Sequence, residues 1–90
     1  MTKAEIVSEI ASKRGIDKRE VLMVVESLMD TIKTTMTNGE EVFLRGFGSF
    51  IIRHRAEKIA RDITKNTAMV IPAHNIPAFK PAKSFVEKVW

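Results

Sequence analysis

Apolar residues recur at spacings of three and four through the first third of the chain and then shift toward alternation, which predicts helices followed by strands. Thr2-Lys3-Ala4-Glu5 has the spacing of a capping box, Ile6, Val7, Ile10 and Ala11 follow on one helical face, and Gly15 suits the position just past a helix end. A first helix is expected over about residues 3–14. Asp17-Lys18-Arg19-Glu20 repeats the cap, and Val21, Val25, Leu28, Met29, Ile32 and Met36 form a longer stripe that ends near Asn38-Gly39. The short joint at Ile16 makes the two helices a hairpin whose stripes share a core.

Beyond Gly39 the period changes. Glu41–Leu44 and Ser49–Arg53 read as two strands around Arg45-Gly46-Phe47-Gly48, and the second runs without a breaker into Arg53-His54-Arg55. From Arg53 to Pro72 large apolar residues become sparse. Thr64-Lys65-Asn66 offers a turn and Ala68–Ile71 a returning strand, so this stretch predicts a β-ribbon of about 30 Å, too long to pack on so small a body. Pro72, Pro77 and Pro81 keep the chain extended, and Pro81 can start a last helix from Ala82 to about Val89. The expected class is α+β in a single domain spanning 1–90. It has a helical hairpin over 1–39, sheet over 40–52, a protruding arm over 53–72, and over 73–90 the end of a three-stranded antiparallel sheet with a short C-terminal helix.

Composition sharpens this picture. At 44% apolar and 29% charged residues the chain is globular, yet 90 residues bury too little surface for a comfortable monomeric core. With no cysteine, neither disulfides nor thiolate zinc sites can help. Phe43, Phe47, Phe50, Phe79 and Phe85 exceed what a thin sheet and three helices can hide, and a homodimer would bury them. No apolar run is long enough for a membrane span or a signal peptide, so a soluble, intracellular protein is expected.

The net charge of +4 is unevenly placed: residues 1–44 hold 6 basic and 8 acidic residues, residues 45–90 hold 9 and 3. A polyanion is therefore expected at the second half. Arg53, Arg55, Lys58, Arg61 and Lys65 lie along the arm, opposed only by Glu57 and Asp62, on a ribbon whose width suits a groove of duplex DNA. The alternative is a solvated edge that uses charge to resist aggregation, but that needs fewer charges and no such length. Ile63, at the expected tip, either covers its own hairpin or acts as a wedge between base pairs. Lys80 and Lys83 flank the start of the last helix, where the macrodipole disfavours cations unless an anion is bound. Gly46 and Gly48 would admit a phosphate to the backbone, although turn geometry alone accounts for them. Catalytic readings lack parts: His54 and His74 have no acidic cluster or cysteine near them in sequence, and no complete dinucleotide fingerprint or phosphate loop occurs. No metal, cofactor or small-molecule substrate is expected.

Gly46-Phe47-Gly48-Ser49-Phe50, Arg53, Arg55, Arg61, Ile71-Pro72-Ala73, and Pro77-Ala78-Phe79-Lys80-Pro81 followed by Lys83 resemble the bacterial histone-like HU/IHF family of DNA-bending proteins along essentially the whole chain. The resemblance implies an intertwined homodimer on a helical base, with two β-arms in the minor groove of double-stranded DNA. It implies arm contacts by Arg53, Arg55, Lys58 and Arg61, body contacts by Lys3, Lys80 and Lys83, and a dimer core of Phe47, Phe50 and Phe79. The implied role is architectural: bending and compacting DNA with low sequence specificity, at the nucleoid in the bacterial cytoplasm, without catalysis. A heterodimer with a paralogue, a site-selective factor of the integration-host-factor type, and a module that pairs its arm with another protein are the alternatives. Where the family usually reads Gly-Arg-Asn-Pro, this chain has Ala60-Arg61-Asp62-Ile63. Isoleucine keeps an apolar wedge but loses the fixed backbone of proline, and Asp62 adds a negative charge close to phosphates.

Overall fold

The computed structural model describes residues 1–62 and 67–90, which form two compact units, Met1–Thr35 and Met36–Trp90. In the first, helix α1 spans Lys3–Arg14. Thr2 Oγ1 accepts the Glu5 N–H at 3.3 Å, and Gly15, with φ at 65°, closes the helix in the left-handed region with its N–H on the Ala11 carbonyl. Helix α2, Lys18–Thr37, starts behind Asp17, whose carboxylate accepts the Arg19 N–H at 2.8 Å. Both helices stand where the apolar period and the caps put them. Their core is small: Val7 and Val21 are the buried apolar side chains among the described residues, while Met23, Val24 and Leu28 on α2 are half or more exposed.

The second unit holds five strands and a helix. Strands β1 (Val42–Leu44), β2 (Gly48–Arg55) and β5 (His74–Pro81) form an antiparallel sheet in the order β1-β2-β5; β3 (Lys58–Asp62) and β4 (Thr67–Ile71) pair only with each other. Phe47 donates its N–H to the Leu44 carbonyl at 3.0 Å, and Gly46, with φ at +83°, takes the turn position that demands a left-handed residue. Pro77 sits within β5, which as an edge strand can lose an N–H without breaking an interior ladder. Glu41 blunts the other edge by accepting the Ile52 N–H at 2.9 Å on Oε2. Helix α3, Lys83–Val89, is tied to the turn by the Ala82 N–H on the Phe47 carbonyl at 2.9 Å.

The arm expected over 53–72 begins as an extension of the sheet: Arg53 and Arg55 lie on β2 within the three-stranded sheet, paired with Ile76 and His74. The separate ribbon begins at Lys58, opposite Ile71. Between them Pro72, which has no N–H to donate, interrupts the ladder opposite Ala56 and Glu57.

Strand register divides the sheet into two chemically distinct faces, because cross-strand partners share a face and neighbours along a strand alternate. The pairs Val42↔Phe50 and Phe50↔Phe79 lie on one face. Phe43↔Ser49, Ser49↔Lys80, Ile51↔Ala78, Arg53↔Ile76 and Arg55↔His74 lie on the other. On the aromatic face the ring centroids of Phe50 and Phe79 are 5.1 Å apart, and Phe47, from the turn, lies 5.1 Å from Phe79 and 5.5 Å from Phe85. Phe43, grouped with these rings by composition, is not among them.

Candidate nucleic-acid interface

Arg53, Arg55 and Lys80 are exposed side chains on one face of the sheet, with the half-buried Ile51, Ile76 and Ala78 between them. Lys83 opens α3 immediately beyond β5. Lys80 and Lys83 line a shallow cavity of about 330 Å³ together with Arg45, from the β1–β2 turn, and Phe43. Charge and spacing along the chain do not single out Arg45. Its signal is its place beside Gly46, the turn that the Ala82 N–H and the Ser84 hydroxyl bring against the start of α3.

The two glycines separate on structural grounds. Gly46 is exposed, and a Cβ there would meet nothing within 4 Å, so its positive φ alone accounts for it. Gly48 is buried, and a Cβ would stand 2.5 Å from Phe79 Cζ and 2.7 Å from the Lys80 carbonyl oxygen. It is therefore glycine so that Phe79 can lie against the strand.

Along the ribbon, Lys58 is exposed and pairs with Ile71, and the backbone of Arg61 pairs with that of Ala68. Ile63 and Lys65 fall outside the described residues. The returning strand Thr67–Ile71 carries no charge, and Ile59, Met69 and Val70 are each more than half exposed. The ribbon thus combines cationic with apolar surface.

Lys3, in the first unit, donates a hydrogen bond to Glu26 Oε1. That bond and the lysine's charge, opposed by burial and helped by Lys33, hold the Glu26 carboxyl below its ordinary range. The histidines are solvent-exposed and locally bonded: His54 Nδ1 lies 3.0 Å from Asn75 Oδ1, and His74 Nδ1 donates to the Pro72 carbonyl at 2.8 Å. Among the described residues no group of three or more His, Cys, Asp or Glu could hold a metal ion, and no helix is long and apolar enough to cross a membrane.

Comparison with known proteins gives a consistent result. The family model described as "Bacterial DNA-binding protein" matches residues 1–90. The SPbeta prophage-derived DNA-binding protein HU 2 of Bacillus subtilis (strain 168) is 39% identical over 89 residues, covering 99% of this chain and 97% of that protein. The integration host factor subunit beta of Marinobacter nauticus is 37% identical over 90 residues, covering 99% of this chain and 92% of that protein. A solved cocrystal structure of HU from Anabaena with DNA superposes with a TM-score of 0.93 at 38% identity, covering 99% of this chain and 97% of that one.

Proposed function

The chain belongs to the family of bacterial DNA-binding proteins, and from that membership we propose that it binds and bends double-stranded DNA as a dimer with low sequence specificity. The observation that carries this reading is the division of the sheet. Arg53, Arg55 and Lys80 share one exposed face, and the aromatic cluster occupies the opposite face. Cations on one side can neutralise phosphates while the rings on the other bury themselves against a second copy. Phosphate contacts position a protein without reading bases, which is why the arrangement favours affinity over specificity.

Lys58, Arg61 and Lys65 extend the cationic surface onto the ribbon, and Lys3, Lys80 and Lys83 hold flanking DNA. Ile63 serves as the apolar wedge that partly unstacks a base step, as the family's minor-groove benders do. Phe47, Phe50 and Phe79 form the centre of the dimer interface. The protein works by binding alone, at the bacterial nucleoid in the cytoplasm, with no chemical step of its own.

A salt titration tests this. Log K for a random-sequence duplex should fall linearly with log salt, and Arg53→Ala and Arg61→Ala should each flatten the slope by about one, the counterion released per phosphate contact. Slopes equal to the wild type would remove those arginines from the interface. Unrelated duplexes should bind within about tenfold of one another; a ratio above about a thousandfold would point to site-selective binding instead.

A further inference from the structure

Phe43 stands on edge strand β1, 69% exposed, and takes no part in the aromatic cluster of Phe47, Phe50, Phe79 and Phe85. A large apolar ring on an edge strand loses the benefit of burial and is open to contact with a partner. The chemistry around it narrows what that partner is. Register places Phe43 in one cross-strand row with Ser49 and Lys80, about 10 Å across the three strands. Arg45, Lys80 and Lys83 line the same shallow cavity of about 330 Å³, and no carboxylate does. Glu41, the acid nearest in sequence, has its Oε2 committed to the Ile52 N–H.

We propose that Phe43, with Arg45, Lys80 and Lys83 around it, is a stacking site for an unpaired nucleobase, an inference that rests on the DNA-binding reading above. An aromatic platform within a cationic rim is what single-stranded nucleic acid requires: the ring takes the π-face of a base of any identity, and the cations take the adjoining phosphates. A paired base inside a duplex is already stacked on both sides and offers the ring no face. The site therefore acts where a duplex gives way to single strand, and it adds affinity there without adding charge.

The test uses the full chain and one duplex in two forms, blunt and carrying a short oligothymidine 3′ overhang, with binding measured by anisotropy at two salt concentrations. Phe43→Ala should weaken binding to the overhang duplex about tenfold, the scale of one base stacked on an aromatic side chain. It should change blunt-duplex binding less than about twofold and leave the salt slope alone, since the ring neutralises no phosphate. Phe43→Leu, which keeps apolar bulk without a π-face, should lose most of the same increment. Equal losses on both DNAs, no loss on either, or full retention by Phe43→Leu would each overturn the stacking site. In those cases salt-dependent binding of the blunt duplex by the wild type would leave the broader reading standing, whereas its absence would remove both. Thermal melting of both variants should match the wild type because the ring is exposed; a lowered midpoint would mark Phe43 as part of the fold and count against the proposal.

Discussion

Lys3 is paired with Glu26, so if it contacts a phosphate as proposed, it must share or exchange that partner, which would set how much it contributes to binding. An ammonium already paired releases little when it changes partner, because a carboxylate is uncovered as a phosphate is covered. Glu26→Gln should therefore tighten duplex binding and steepen the salt slope by about one, as Lys3 becomes a full phosphate contact. Glu20→Gln removes the same charge from the same helix without touching the pair and should leave the slope unchanged. Equal behaviour of the two variants would take Lys3 out of the footprint. The pH dependence has a definite sign. The folded-state pKa of Glu26 is depressed, so the stabilisation from the pair is present above the ordinary carboxylate range and is lost as pH falls through the lowered value. If Lys3 is a phosphate contact as proposed, it should therefore be freer to make it under acidic conditions. Both side chains are about half exposed, which keeps the effect on folding small and directs it mainly to binding.

At the scale of elements, the ribbon is separable from the sheet, because β3 and β4 hydrogen-bond only to each other. Replacing residues 58–71 with a short Gly-Ser linker should shift the melting midpoint by only a few degrees, since no ladder of the three-stranded sheet depends on the ribbon. The same variant should lose bending, measured by energy transfer between the ends of a labelled duplex. A collapse in melting temperature would make the ribbon part of the core, and an unchanged bend would deny it the wedge. The elements themselves were legible because their signals are local: Thr2 and Asp17 cap helices, Gly15 ends one, and Gly46 forces a turn. What the sequence left open is non-local. Arg53-His54-Arg55 alternates like a strand whether its partner is a ribbon or a sheet, and only the register with His74, Asn75 and Ile76 decides. The same register sends Phe43 to the face opposite Phe50, which aromatic content alone could not reveal.

For the whole molecule, the aromatic surface is left open within the single chain. Phe47 remains 46% exposed and Phe79 38%, and beside them Phe79, Pro81, Phe85, Val86, Val89 and Trp90 line a nearly apolar cavity of about 530 Å³. Two buried valines among the described residues cannot stabilise a chain of 90 residues. On the proposed reading the aromatic face is closed by association, and a second copy would close it symmetrically. Folding coupled to dimerisation is stabilised by about 1.4 kcal/mol for each tenfold rise in protein concentration, which should raise the melting midpoint by a few degrees. The sedimenting mass should be that of two chains at concentrations where the protein is folded. A midpoint independent of concentration, together with a single-chain mass, would mean that the aromatic face is covered within one chain. Because the cations stand on the opposite face, the proposed dimer would leave Arg53, Arg55 and Lys80 of both copies open to DNA. Dimerisation and DNA binding should consequently reinforce each other, so that adding duplex raises the midpoint at every protein concentration and raises it less for a duplex-binding variant such as Arg53→Ala.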